Sequence, residues 1–194
     1  PANYNGSESF TATVTDGTLS SSQAFIVTVN AVNDAPTADD ANSVSLEDGS
    51  VVISLSGNDV DGDNLSFALN TDATNGSVTI EGALATFTPS TNYNGDDSFT
   101  FIASDGSLSA TATVTITVTP VNDAPALAAV SGVTFDEDGS GSTTLVGSDV
   151  DGDDLTYSVS GGTDITAIVD GASVSFTATA NFNGSESFTA TVTD

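Results

Sequence analysis

The sequence predicts an all-β protein made of tandem, seven-stranded Greek-key β-sandwiches placed end to end. Three observations carry that expectation. The 194-residue chain repeats itself, with "NYNG" at 3–6 returning at 92–95 and as "NFNG" at 181–184, two steps of 89. Apolar and polar residues alternate with period 2 inside each copy, as half-buried strands require. No stretch shows the three-and-four spacing of an amphipathic helix.

A second motif keeps the same period, since "VNDAP" at 32–36 returns at 121–125. The acidic block slips by one, "NDVDGDNL" from 58 against "SDVDGDDL" from 148, so one insertion and one compensating deletion separate the copies. On this period residues 1–32 are the C-terminal part of one repeat, 33–121 a complete repeat and 122–194 a repeat lacking its last strand. With no Met in the sequence, the chain reads as an internal piece of something longer.

In the complete repeat the expected strands are 43–46, 50–56 with Val51, Ile53 and Leu55 inward, 65–70 with Leu65, Phe67 and Leu69, 76–80, 83–88, 98–103 with Phe99, Phe101 and Ala103, and 111–119. In the last of these, Ala112, Val114, Ile116 and Val118 share one face and Thr occupies the other. "EG" at 81–82 and "DG" at 170–171 supply tight hairpin turns. Tyr93, just before a strand, is either a tyrosine-corner analogue whose hydroxyl bonds back to the backbone or a packing ring, and packing is favoured because Phe182 fills the same place without a hydroxyl. Seven short strands per repeat give a sandwich of the immunoglobulin-like kind. The repeat at 122–194 leaves a strand edge that following chain or a neighbouring molecule must cover; the counterpart of that strand is "AFIVTV" at 24–29.

Composition then narrows the chemistry. The formal charge is −27 with no Lys, Arg or His, so no side-chain salt bridge can form. The same inventory removes the imidazole base, the thiolate, the disulfide, the Schiff-base lysine and the P-loop. An enzyme is not expected, and a carboxylate-only glycosidase would need two acids facing each other in a cleft. Nucleic acid and anionic membrane surfaces would be repelled. No apolar run reaches the length of a membrane span.

Asp outnumbers Glu by 22 to 5, and the short acid suits loop-built cation sites. In "DVDGDNL" (59–65), Asp59 and Asp61 fall on one side of an extended loop, with Val60 pointing the other way. Gly62 permits the turn that brings Asp63 or a carbonyl round. Like charges about 4 Å apart repel by roughly 4 kcal/mol at an effective dielectric near 20, so such clustering needs a counter-charge. Calcium, which takes six to eight hard oxygens in loose geometry, fits better than magnesium, and softer metals lack ligands. An EF-hand is excluded by spacing, because counted from Asp59 the Gly comes fourth and the twelfth residue is Asn70.

"ASDGSLSATATVTITVTPVNDAP" and "SLEDGSVVISLSGNDVDGDNLSFAL" together resemble the close and the opening of a cadherin repeat. The pattern is similar to the cadherin-like, immunoglobulin-like tandem repeats of large bacterial surface adhesins and RTX-type extracellular repeat proteins. The resemblance implies a secreted stalk whose inter-repeat linkers bind Ca2+. Its ligand set at the second linker would be Glu47, Asp97, Asn122, Asp123, Asp149, Asp151 and Asp194. At the first it would be Glu8, Asn33, Asp34, Asp59, Asp61 and Asp105. The linker's first Asp is replaced by Ala31 and Pro120, and its second Asn is absent, so one or two ions per linker are expected.

Asp39, Asp40, Asp72, Asp164 and Glu81 read as solvated acids, and Asp48, Asp63, Asp138 and Asp153 as outer-shell groups or turn formers. The Asn-Gly-Ser triplets read as turns. The function expected is a calcium-stiffened spacer, stalk or fibre, of a long extracellular cell-surface adhesin. Its partners would be neighbouring repeats or adjacent molecules in a fibre, with any glycan or cell-surface ligand bound elsewhere in the full protein. The alternative is a module that itself binds carbohydrate or protein, against which the 7% aromatic content, mostly on core faces, argues.

Overall fold

The computed structural model describes residues 3–194. They divide into two compact units, Pro1–Pro120 and Val121–Asp194.

The first unit opens with an antiparallel hairpin, β1 (Gly6–Thr15) and β2 (Ser20–Val29), in the register Phe10↔Phe25. Asp16 Oδ1 closes its turn by accepting the N–H groups of Thr18 (2.8 Å) and Leu19 (2.7 Å). Phe10 and Phe25 stack at 5.9 Å, yet both stay about half exposed (46% and 49%). Val27 and Val29 beside them are equally open.

The strands that follow are β3 (Thr37–Ala38), β4 (Ala41–Leu46), β5 (Val51–Ser54), β6 (Gly57–Asn58), β7 (Ser66–Thr71), β8 (Gly76–Glu81), β9 (Leu84–Pro89), β10 (Gly95–Ser104) and β11 (Ser109–Thr119). One sheet runs β4-β11-β10-β7, with β11 parallel to β4 and antiparallel to β10. The other runs β5-β9-β8, all antiparallel. Phe99, Phe101, Val114 and Ile116 from the first sheet meet Ile53, Val78, Ala85 and Phe87 from the second in one core. Burying each large side chain contributes about 1.5–3 kcal/mol, which is what clamps the two sheets together.

All seven expected strands form, and the alternation of β11 buries Ala112, Val114, Ile116 and Val118 as read. β3 and β6 pair with each other through Thr37↔Asn58, and two residues are too few for a periodicity to register. The hairpin loops sit one residue later than expected. Glu81 pairs with Leu84, so Gly82 and Ala83 make the loop, and Gly82 takes the positive φ (59°) that such a position demands. The Tyr93 ring packs against the core as expected, and its hydroxyl also donates to the Asp96 carbonyl at 2.7 Å. The first Asn of each N-[YF]-N-G motif, at Asn3, Asn92 and Asn181, holds φ of 60°, 56° and 58°. Asn tolerates that left-handed state better than most residues, which gives the motif a backbone reason.

The second unit contains β12 (Ala126–Leu127), β13 (Ser140–Thr144), β14 (Gly147–Ser148), β15 (Thr156–Gly161), β16 (Ile165–Asp170), β17 (Ser173–Ala178) and β18 (Phe188–Thr193). Its sheets are β13-β17-β16, β15-β18 and β12-β14. Only Leu145, Val174 and Phe176 reach full burial, with Phe135, Val159 and Phe188 packed partly against them. Among the described residues β18 pairs with β15 alone. Its other edge opens on a groove of about 920 Å³ lined by Val133, Phe135, Val159, Ile165, Phe176 and Phe188.

Candidate metal centre

The two acidic loops leave β6 and β14 at the same end of their sandwiches, and both fold by carboxylates capturing backbone N–H groups. Asp59 Oδ1 accepts the N–H of Asp61 at 2.8 Å and of Asp63 at 3.4 Å. Asp149 Oδ1 accepts those of Asp151 (2.9 Å), Gly152 (3.1 Å) and Asp153 (3.3 Å). Gly62 and Gly152 take φ of 84° and 81°, where a Cβ would be strained.

The linker segments lock onto these loops in the same way in each unit. Asp34 N–H donates to Asp61 Oδ2 at 2.7 Å, and Asp123 N–H donates to Asp151 Oδ2 at 2.7 Å. Asn33 Nδ2 donates to Asp105 Oδ2 at 2.9 Å, and Asn122 Nδ2 donates to Asp194 Oδ2. Asp105 Oδ1 meanwhile caps its own turn, taking the N–H groups of Ser107 and Leu108. The Leu108 N–H, then the Asn33 amide, then the Ser107 N–H hold the Asp105 carboxyl below its usual range.

One atom in each loop is left over. Asp59 Oδ2 and Asp149 Oδ2 are buried and have no hydrogen-bond donor. A buried carboxylate oxygen without a partner is costly, and this chain has no ammonium or guanidinium to offer it. In the second unit Asp149, Asp151 and Asp153 each bring an oxygen within 4.8 Å of the others. Two oxygens bound about 2.4 Å from one ion can be at most about 4.8 Å apart, so the spacing suits calcium. The donor set is all hard oxygen, which suits the same ion.

The structure thus brings together Asn33, Asp34, Asp59, Asp61 and Asp105 in the first unit, and Asn122, Asp123, Asp149, Asp151 and Asp194 in the second. Asp153 joins the second cluster as a ligand candidate beyond the expected set, its signal being the third acid of "DVDGD". Glu47 is 2% exposed and accepts from Asn94 Nδ2 at 3.3 Å.

Asp97 and Glu8 have hydrogen-bond partners of their own. The Asp97 carboxylate accepts the N–H groups of Thr74 (3.1 Å) and Asn75 (2.8 Å) in the β7–β8 loop, and that of Ser98 (2.8 Å). Glu186, its counterpart in the second unit, takes those of Thr163 (3.0 Å), Asp164 (3.0 Å) and Ile165 (2.8 Å). These bonds, that from Asp164 foremost, then Thr163 and Ile165, hold Glu186 below its usual range. Glu8 receives the Tyr4 hydroxyl at 3.2 Å. The acid that recurs at 8, 97 and 186 therefore anchors a loop in both units where that loop is described. The deletion noted in the sequence falls in this loop. Four residues, 72–75, join β7 to β8, and three, 162–164, join β15 to β16.

Several acids read as solvated also hold backbone. Asp40 Oδ1 accepts Thr113 N–H at 2.7 Å, and Asp72 Oδ1 accepts those of Ala73 and Val78. Peptide N–H dipoles thus supply part of the positive potential that basic side chains do not.

A sandwich of this topology, whose first and last long strands pair in parallel within one sheet, is immunoglobulin-like and cadherin-like in class. Residues 33–117 and 122–194 each match the family model for the bacterial Ig domain, and the chain belongs to that family. No curated protein matches it. Among solved structures it is similar to extracellular cadherin domains 1–4 of protocadherin gamma B7 (TM-score 0.55, 16% identity, 97% of this chain and 57% of that one). It is also similar to domains EC1-2 of human protocadherin-24 (TM-score 0.53, 18% identity, 83% of this chain and 94% of that one). An endo-fucoidan hydrolase from glycoside hydrolase family 107 matches at TM-score 0.39 and 21% identity, with 100% of this chain covering 33% of that one. The chain thus spans about a third of that hydrolase. No helix among the described residues is long and apolar enough to cross a membrane.

Proposed function

We propose that this chain is a stretch of structural spacer from a long extracellular cell-surface protein, an adhesin stalk or fibre, whose repeats take up Ca2+ at their acidic loops and are stiffened by it. The observation that carries the reading is the buried, donor-free Oδ2 of Asp59, matched by Asp149 in the next repeat. Asp59, Asp61, Asp34 and Asp105 would hold the ion in one repeat, and Asp149, Asp151, Asp153, Asp123 and Asp194 in the other. Bacterial Ig-domain membership and the likeness to cadherin ectodomains support the same reading.

Calcium neutralises the loop and holds the linker segment to it, and no catalysis is assigned. Extracellular modules bind calcium at about 0.1–1 mM, a level found outside cells and not in the cytosol, so the repeats would stiffen only after export. Binding adds about 2.7 kcal/mol per site at a hundredfold excess over Kd. Calorimetric titration with calcium, beside small-angle scattering of the chain in calcium and in chelator, tests this. The expected result is saturable heat and a larger maximum dimension in calcium. No heat up to about 10 mM calcium, far above that range, sinks the proposal.

A further inference from the structure

The two acidic loops carry the same three acids, yet the residues that hold them differ. Asp59, Asp61 and Asp63 correspond to Asp149, Asp151 and Asp153, and the first acid of each loop keeps a buried, donor-free Oδ2. Within the loops, Asp149 Oδ1 takes three backbone N–H groups, those of Asp151, Gly152 and Asp153, where Asp59 Oδ1 takes two. The second loop also carries a fourth acid, Asp154, where the first has Asn64. A further difference lies outside the loops. Tyr157 on β15 stands where β7 has Phe67, and its hydroxyl oxygen accepts the N–H of Gly147 at 3.0 Å. Gly147 belongs to β14, just before Asp149, so this bond ties the entry of the loop to a ring packed on the core. Phe67 packs against the Phe101 ring at 5.9 Å and has no hydroxyl to offer its own loop.

We propose that the loop at 149–153 binds calcium more tightly than the loop at 59–63, and that Tyr157 is a positioning residue for it. This difference exists only if the loops take up calcium as read above. The affinity of an all-oxygen site follows its charge count and its rigidity. The second loop has the advantage on both. Its additional backbone bond and the Tyr157 hydroxyl hold it in place before the ion arrives, so less freedom is lost on binding. Its additional acid raises the repulsion that the ion relieves. Uptake is therefore graded, with the loop at 149–153 filling first as calcium rises and the loop at 59–63 following.

Titration calorimetry of the chain with calcium tests it, with Asp59→Asn and Asp149→Asn silencing one loop at a time. Asp59→Asn should leave the tighter step and Asp149→Asn the weaker one. Tyr157→Phe should loosen the tighter step about threefold to tenfold, the range of one hydrogen bond, and leave the weaker step unchanged. Phe67→Tyr should tighten the weaker step alone, a gain that a general loss of stability cannot imitate. Circular dichroism checks that Tyr157→Phe keeps its strands; if it does not, Phe67→Tyr decides the role of the hydroxyl. Equal affinities in the two Asn variants, or the tighter step vanishing with Asp59→Asn, overturn the ranking and leave the calcium reading standing. A folded Tyr157→Phe that titrates as wild type, or a Phe67→Tyr that gains nothing, overturns the positioning role. Absence of heat from either loop sinks both readings together.

Discussion

Asp61 accepts the N–H of Asp34 at 2.7 Å, tying the linker segment of the repeat to its acidic loop across 27 residues of sequence. Asp151 and Asp123 repeat the bond at the same length. A carboxylate that receives a backbone N–H is fixed in direction, so the loops are oriented by main chain while Asp59 Oδ2 and Asp149 Oδ2 stay available to a cation.

Replacing Asp59 or Asp149 with Asn removes one charge and leaves the shape. Each change should weaken calcium binding in its own repeat at least tenfold by titration calorimetry, and the double variant should bind at neither. An unchanged Kd in both singles would remove these oxygens from the ligand set.

Removing calcium should lower the melting temperature. At a hundredfold excess over Kd one site is worth about 2.7 kcal/mol, or several degrees in a protein of this size. Scanning calorimetry in chelator and in calcium reads the difference, which should disappear in the Asp59→Asn, Asp149→Asn double variant.

Glu186 makes a pH-dependent contribution whose sign follows from its partners. Its carboxyl is held below the ordinary value of 4.5 by the N–H groups of Asp164, Thr163 and Ile165. The stabilisation is therefore full above about pH 4.5 and is lost as pH falls through the lowered value. Wild type should melt above Glu186→Gln at pH 7, and the two curves should converge as the pH falls through the lowered value. Parallel curves across that range would show that ionisation is not what the loop uses.

Phe101 is fully buried between two complete sheets, whereas Phe188 borders the groove. Phe101→Ala should cost about 3–5 kcal/mol in urea unfolding. Phe188→Ala should cost clearly less, because its site already has open space beside it.

Trypsin should leave the chain whole, folded or denatured, since it contains no Lys or Arg. Mass spectrometry after overnight digestion in urea checks it, and any internal tryptic cut contradicts the stated sequence.

The strands were legible because burial on one face leaves a period of two, cleanest from Ala112 to Val118. The parallel pairing of β4 with β11 leaves no such trace, as it joins residues some 70 positions apart. Residues 133–136 carry apolar alternation yet form no strand. Asp59 and Asp61 could be read from their spacing. The use of Asp97 could not, because its partners Thr74 and Asn75 are fixed by the corner of a different sheet. Asp40 and Asp72 looked solvated for the same reason, since an acceptor of backbone N–H groups has no signature apart from the acid itself.

The anchored corner shows how such modules tolerate change. Where four residues turn the corner, the acid beneath is Asp97; where three do, with Gly161 and Gly162 at positive φ, it is Glu186. One methylene of side chain offsets one residue of backbone. Repeats bound this way can drift in loop length without losing the strands on either side, so copies of the domain could diversify corner by corner while each keeps its sheets.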